Sequence, residues 1–243
     1  MNLSLAALRG RGFRGLRIVG DVHGDAVGFG AALEGARAAR LYVVQLGDLT
    51  DYGPDAPGAL RQAFAMLDAR EGLFVLGNHD HKLRRALTGA RVSSPSEAVP
   101  RTLSQLRAAA DGEALAARAV QEIARAPGWL RCGRAICVHA AYHPAMLEAA
   151  PPPMAGAGKP GPVMSRALYG QVVARRDGEE FPERALRWVD QIPSGVTVYV
   201  GHDNRSSDGR PFEKASALGG RAVFLDTGAG KGGHLSWLDL PID

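Results

Sequence analysis

Six short apolar runs punctuate the chain: Leu16–Val19 (LRIV), Leu41–Leu46 (LYVVQL), Leu73–Leu76 (LFVL), Ala135–Val138 (AICV), Val196–Val200 (VTVYV) and Ala222–Leu225 (AVFL). They are β-branched or Leu-rich and stop at Gly or polar residues, as buried strands do. The first three recur about 30 residues apart, the length of one βαβ unit. Between them, 25–40 carries small and apolar residues on a helical period, and 57–70 is a stronger helix with Pro57 near its start. Residues 101–126 are Ala-rich, with Leu103, Leu106, Leu115, Val120 and Ile123, and read as one or two helices broken near Asp111-Gly112. Residues 144–168, with the run PPPMAGAGKPGPVMS, hold too much Pro and Gly for regular structure and read as a long surface loop or part of a lid. No repeat and no clear linker interrupts the pattern. Residues 1–243 are therefore expected to form one α/β domain with an irregular insert at about 144–168.

The polar residues that end these runs carry the chemistry. The first run opens into Gly20-Asp21-Val22-His23-Gly24-Asp25, the second into Gly47-Asp48-Leu49-Thr50-Asp51 and the third into Gly77-Asn78-His79-Asp80. The fourth leads into His139-Ala140-Ala141, the fifth into Gly201-His202-Asp203-Asn204 and the sixth into Asp226-Thr227-Gly228. A single Gly-Asp after a strand is ordinarily a turn. Six strand ends in a row bearing Asp, His and Asn describe one polar pocket, because open α/β sheets bind ligands at the carboxyl ends of their strands. Carboxylate, imidazole and amide oxygen without thiolate suit divalent manganese, iron or zinc. Two such ions about 3.5–4 Å apart lower the pKa of a shared water from 15.7 to about 7 and hold both oxygens of an in-line displacement. A phosphate ester is the substrate that such a pocket suits.

Composition changes this picture little. Apolar residues make up 46% and charged residues 22%, ordinary for a soluble globular chain. Two cysteines, Cys132 and Cys137, match no metal spacing and suggest a reducing cytoplasm rather than a disulfide framework. Neither a signal peptide nor a membrane span is expected. The net charge of +4 is compatible with phosphorylated substrates but is not concentrated in one run.

The series GDVHGD, GDLTD, GNHD, VHA and GHD resembles the calcineurin-like metallophosphoesterase superfamily, in its phosphoprotein-phosphatase-type branch. Within that branch, GNHDHKLRRALTGARV (77–92), ALYGQV (167–172) and FLDTGAGKGGHLSWLDL (224–240) are similar to the phosphatase module of bacterial polynucleotide kinase-phosphatase. Symmetrical diadenosine tetraphosphatases are also similar. The resemblance implies a two-sheet β-sandwich flanked by helices, a four-layer αββα fold of mixed α/β (α+β) class. It implies that Asp21 and His23 bind a first metal, that Asp48 bridges two metals, and that Asn78, His139 and His202 bind the second. It implies that Asp51 orients His79, which donates a proton to the leaving oxygen after a metal-bridging hydroxide attacks phosphorus.

The family pattern is departed from in three places. Tyr52 stands where GDxxDRG has an Arg that clamps phosphate, and a phenol carries neither charge nor a bidentate fork. His81, Lys82 and Arg205, with Arg84 and Arg85, are the candidates to reach the phosphate instead. Ala140-Ala141 replaces a glycine-containing step, which is harmless unless a positive φ is needed there. Asn204 replaces the second His of GHxH, which argues against the nuclease branches. His143 and His234 read as ordinary loop residues, and Asp226 as a cap of its own turn. The expected function is a dinuclear-metal phosphatase acting on nucleotide, polynucleotide-end or protein phosphomonoesters. The alternative is a dinucleoside polyphosphate hydrolase; an inactive scaffold and a nuclease rank below both. Two divalent ions, manganese ahead of iron or zinc, are the expected cofactors, and a phosphorylated small molecule, nucleic-acid end or phosphoprotein the substrate. No membrane and no obligate protein partner is expected.

Overall fold

The computed structural model describes residues 2–92, 97–174 and 183–242. Two sheets make up its body. In the first, strands β1 (Gly15–Val19), β2 (Leu41–Gln45) and β3 (Gly72–Phe74) run parallel, and β11 (Trp237–Pro241) pairs antiparallel with β1. In the second, β5 (Ala135–Val138), β8 (Thr197–Val200) and β10 (Arg221–Phe224) are parallel, with β4 (Trp129–Cys132) and β9 (Phe212–Ala215) antiparallel at the edges. Strand β6 (Val172–Ala174) pairs antiparallel with β7 (Glu183–Arg184) in a separate small sheet.

The sheets face one another. Leu16 and Ile18 of β1, Tyr42 and Val44 of β2, Leu130 and Cys132 of β4, Cys137 of β5, Tyr199 of β8 and Val223 of β10 form one buried cluster. These are alternate positions of each strand, so one face of each sheet meets the other across a shared apolar layer. The remaining alternate positions face outwards. Val43 and Phe74 pack under α2 (Ala26–Ala39) and α3 (Ala56–Asp68), against Phe29, Leu33, Leu60 and Phe64. Ile136, Val138, Val198, Val200 and Phe224 on the second sheet are covered by α7 (Pro162–Tyr169) and by 3-10 turns at Pro144–Leu147 and Val189–Gln191. A short α1 (Leu5–Gly10) precedes β1, and α4 (Asn78–Leu87), α5 (Ala98–Ala108) and α6 (Gly112–Arg125) complete the helices. The layered α/β sandwich flanked by helices is thus present.

All six strands expected from apolar runs are the parallel ones. Strands buried on both faces read as continuous hydrophobic runs. The antiparallel strands escaped that pattern: β9 is mostly exposed and β11 partly so, while the buried β4 is a short run interrupted by Arg131. Strand β11 is held instead by Arg17, whose guanidinium donates through Nε and Nη2 to the two carboxylate oxygens of Asp239 at 2.7 Å and through Nη1 to Ala32 O. The stretch 144–168 is not uniformly irregular, which corrects the expectation for its end. Pro162 lies in the first turn of α7, where its missing N–H costs nothing and its fixed φ suits a helix.

Candidate metal centre

The six parallel strands deliver their C-terminal loops to one cleft between the sheets. The loops are tightly wound. Among the described residues, eight non-glycine positions have φ in the left-handed region, and five of them are His23, Asp48, Asp51, Tyr52 and His202. Strain of this kind, about 1–3 kcal/mol per residue, persists only where surrounding contacts over-determine it. The glycines before the ligand candidates serve another purpose. A Cβ on Gly77 would strike the backbone N and Oδ1 of Asp48, and one on Gly201 would strike Oδ1 of Asp21. Gly77 leaves room for a carboxylate from the loop after the adjacent strand, and Gly201 for one from the facing sheet.

Asp21, His23 and Asp48 form one group of side chains, and Asp48, His139 and His202 a second; within each, the ligand atoms lie within 4.8 Å of one another. Asp48 belongs to both. In the first group His23 Nε2 stands 3.6 Å from Asp21 Oδ2 and 3.7 Å from Asp48 Oδ2. In the second, His139 Nε2 lies 3.4 Å from Asp48 Oδ2, 2.9 Å from Asn78 Oδ1 and 3.2 Å from His202 Nδ1. The imidazoles are oriented from behind. Nδ1 of His23 donates to Thr50 O at 3.0 Å, and Nδ1 of His139 to Leu46 O at 2.8 Å, which turns each Nε2 toward the cleft. Nε2 of His23 and of His202 are buried with no hydrogen-bond partner. The unpartnered Nε2 of His23, set between Asp21 and Asp48, is what a divalent cation would satisfy, and the Asp48, Asn78, His139 Nε2 and His202 Nδ1 atoms beside it suit a second, so the donor set fits a pair of metals.

The electrostatics agree. Burial opposes charge on Asp48, but His139 and His79 hold it well below the usual carboxylate range. Burial and then Asp226 push Asp21 up. Burial lowers His23 and His202, with Lys231 and His139 respectively adding to it. Burial would also lower His139, yet Asp48 and then Asp21 lift it to about 9. Below that pH the ring holds a proton at Nε2, the atom that faces the cleft. Cation uptake by Asp48, Asn78, His139 and His202 is therefore expected to release a proton from His139, and affinity to rise with pH until roughly pH 9. Calorimetric titration with Mn²⁺ in buffers of different ionisation enthalpy measures this; uptake without proton release between pH 7 and 8 would contradict it.

His79 and Asp51 meet as the motif resemblance implies. His79 Nδ1 is 2.5 Å from Asp51 Oδ2, and the His79 backbone N–H donates to Asp48 Oδ1 at 2.8 Å. Two supporting residues were not singled out from sequence. Thr102 of α5 donates through Oγ1 to Asp51 Oδ1 at 2.6 Å and accepts from Asp51 N. Asp80 accepts from the backbone N–H groups of Asp48, Leu49 and Gly77 at 2.8–3.0 Å and so clamps the Asp48 turn to the start of α4; burial, then Asp48, push it up to about 6. The GNHD motif carried a signal for Asp80. Nothing local marked Thr102. Thr102→Val is expected to cost about 1–3 kcal/mol by leaving a buried acceptor unpaired, read as a lower urea midpoint, and to lower kcat with little change in KM.

Tyr52 lies against the site, its ring centroid 4.9 Å from that of His23 and 5.2 Å from that of His79. His81 is buried with Nε2 3.3 Å from Gly158 O. Lys82 is half-buried on α4. Arg205 is paired with Asp203 at 2.8 Å, and Arg84 and Arg85 donate to backbone carbonyls. Asp226 caps its own turn by accepting from Gly228 N at 2.9 Å. Asn204 likewise accepts from Ser206 N, and His143 from Ala145 N. Ala140 and Ala141 do not adopt positive φ, so glycine is not required there.

A family model described as calcineurin-like phosphoesterase matches residues 16–143. A bis(5'-nucleosyl)-tetraphosphatase of the asymmetrical type, PrpE of Geobacillus thermodenitrificans strain NG80-2, is 26% identical over 200 residues, spanning 81% of this chain and 74% of the relative. The sequence resemblance had pointed to the symmetrical type. Among solved structures, one provisionally described as a diadenosine tetraphosphatase matches with a TM-score of 0.60 and 20% identity, covering 99% of this chain and 96% of that one. A protein serine/threonine phosphatase from Saccharomyces cerevisiae with similarity to human phosphatase PP5 gives 0.53 and 12% identity, covering 99% and 83%. These two likenesses concern the fold.

Proposed function

This chain belongs to the calcineurin-like phosphoesterase family and is a metal-dependent phosphoester hydrolase; on that premise we propose that it acts on phosphomonoesters of nucleotides, polynucleotide ends or proteins. The observation that carries the reading is the shared Asp48 between two groups of buried ligand atoms, with the paired His79 and Asp51 beside it. Asp21, His23 and Asp48 would hold one divalent cation; Asp48, Asn78, His139 and His202 would hold the other. When bound, such ions act as Lewis acids on phosphoryl oxygens and bring the pKa of a water near 7. The residues of the chain do the rest. Asp51, anchored by Thr102, holds His79 through Nδ1, which leaves Nε2 to carry a proton for the departing ester oxygen. The burial of the cleft excludes bulk water and strengthens each of these interactions.

A second reading, hydrolysis of a dinucleoside polyphosphate, is supported by the names of the curated relative and of the 20%-identical structure. Manganese is the native metal in our reading, and both sheets act as one domain around their shared cleft. Both thiols, Cys132 and Cys137, are free and buried, which suits a cytoplasmic setting. Among the described residues no helix is long and apolar enough to cross a membrane. The test is a Mn²⁺-supplemented panel of nitrophenyl phosphate, bis-nitrophenyl phosphate, diadenosine tetraphosphate, a phosphopeptide and a 3′-phosphate oligonucleotide. Chelator-sensitive release of phosphate from the monoesters is expected. Cleavage confined to diadenosine tetraphosphate would select the second reading, and no cleavage of any substrate would sink both.

A further inference from the structure

We propose that Lys231 is the phosphate-binding cation of this site, standing over Tyr52 and supplying the charge that the Tyr52 position lacks; this rests on the hydrolase reading above. Lys231 Nζ lies 4.9 Å from the Tyr52 ring centroid. That ring is in turn edge-on to His23 at 4.9 Å and tilted against His79 at 5.2 Å. The Tyr52 ring thus contacts the ammonium as well as His23 and His79, which links Lys231 to the first ligand group and to the His79–Asp51 pair.

The segment that delivers Lys231 is built for this approach. It is the turn after β10, 226–234, with glycines at 228, 230, 232 and 233. Gly228 N donates to Asp226 Oδ1 at 2.9 Å, and the N–H groups of Lys231 and Gly233 donate to Gly228 O at 2.9 and 3.0 Å. Thr227 Oγ1 closes the turn on His234 O at 2.7 Å. Gly230 has φ +70°, and a Cβ there would strike the backbone oxygen of His23 and lie 2.9 Å from its Cβ. Only glycine lets the turn seat directly on the loop that carries His23.

Lys231 is also free to act. Its side chain is 35% exposed, and its ion partner Asp226 Oδ2 is 3.8 Å away, beyond hydrogen-bond distance. Asp226 thus draws the ammonium over the cleft without occupying its donors. Arg205, Arg84 and Arg85 are engaged elsewhere, with Asp203 or with backbone carbonyls. A cavity of about 400 Å³ opens beside Lys231, lined also by Tyr52, Gly230, Ala98 and the oppositely charged Glu97 and Arg101, so Lys231 leaves that space with a net positive charge. An ammonium is a point charge with rotatable donors, whereas a guanidinium is a fixed fork. The subsite should therefore accept both terminal and internal phosphates in several orientations.

The test compares Lys231→Met, Lys231→Arg and the double variant Tyr52→Arg/Lys231→Met in Mn²⁺-supplemented buffer. Two quantities are read: KM against kcat for nitrophenyl phosphate, and inorganic phosphate affinity by calorimetry. Lys231→Met is expected to raise KM and the phosphate Kd about tenfold, the loss of one charge-assisted hydrogen bond, with kcat within about twofold. Lys231→Arg should stay near the parent protein. The double variant should recover most of the loss, which a merely structural lysine would not allow. Unchanged KM and phosphate Kd in Lys231→Met, in a protein that turns over, would overturn this assignment alone. A parent protein that cleaves nothing would overturn the hydrolase reading, and phosphate calorimetry would still decide on Lys231: a Kd equal in the parent and in Lys231→Met, or no binding by either, would overturn it.

Discussion

Asp48→Asn is expected to lower kcat on the order of 10³-fold and to reduce bound manganese. Asp48 is the one side chain common to both ligand groups. Cations in such a site supply several kcal/mol of transition-state stabilisation, and each 1.36 kcal/mol is tenfold in rate. Asparagine is the informative replacement. It tolerates the left-handed backbone at this position, φ +58°, better than other residues do. It also keeps an oxygen for the His79 N–H that Asp48 Oδ1 now accepts. What it loses is the charge, and it can place an NH2 where Oδ2 faces His23 and His139. The fold should survive while the cation affinity does not. Elemental analysis beside kcat measures both. Full metal content with unchanged turnover would remove Asp48 from the centre.

His79→Ala is expected to cost 10²- to 10⁴-fold on substrates with alkoxide leaving groups, the usual range for general acid catalysis. The loss on nitrophenyl phosphate should be far smaller, because that leaving group departs without a proton. Truncation also strips Asp51 Oδ2 of its partner in a buried setting, at about 1–3 kcal/mol. Activity must therefore be normalised to folded protein, and His79→Gln, which retains an amide donor, serves as a second variant. Equal losses on both substrate types would assign His79 to positioning rather than to proton donation.

The parallel strands and the groups at their ends were legible because both are local. A strand buried on two faces must be apolar throughout, and the residue after it must turn. LRIV-GDVHGD and LYVVQL-GDLTD announce strand and chemistry in one breath. Partly exposed strands such as β9 and β11 lack that mark, since their stability comes from partners such as Arg17 on another strand. The supporting residues were hidden for the same reason. Thr102 lies on α5, 51 positions from Asp51, and Lys231 in a glycine-rich turn far along the chain from Tyr52. The arginines beside the motifs are engaged elsewhere, and the cation over Tyr52 comes from the turn after β10.

By itself, then, the order of residues determined which strands are buried on both faces, which side chains end them, and the class of chemistry that Asp, His and Asn can support. Only the tertiary structure decided that Asp48 faces both groups, that Asp51 is anchored from α5, and that a lysine stands over Tyr52. Strand periodicity and turn chemistry act between near neighbours, whereas convergence at a cleft depends on how two sheets twist and pack, which no short stretch encodes.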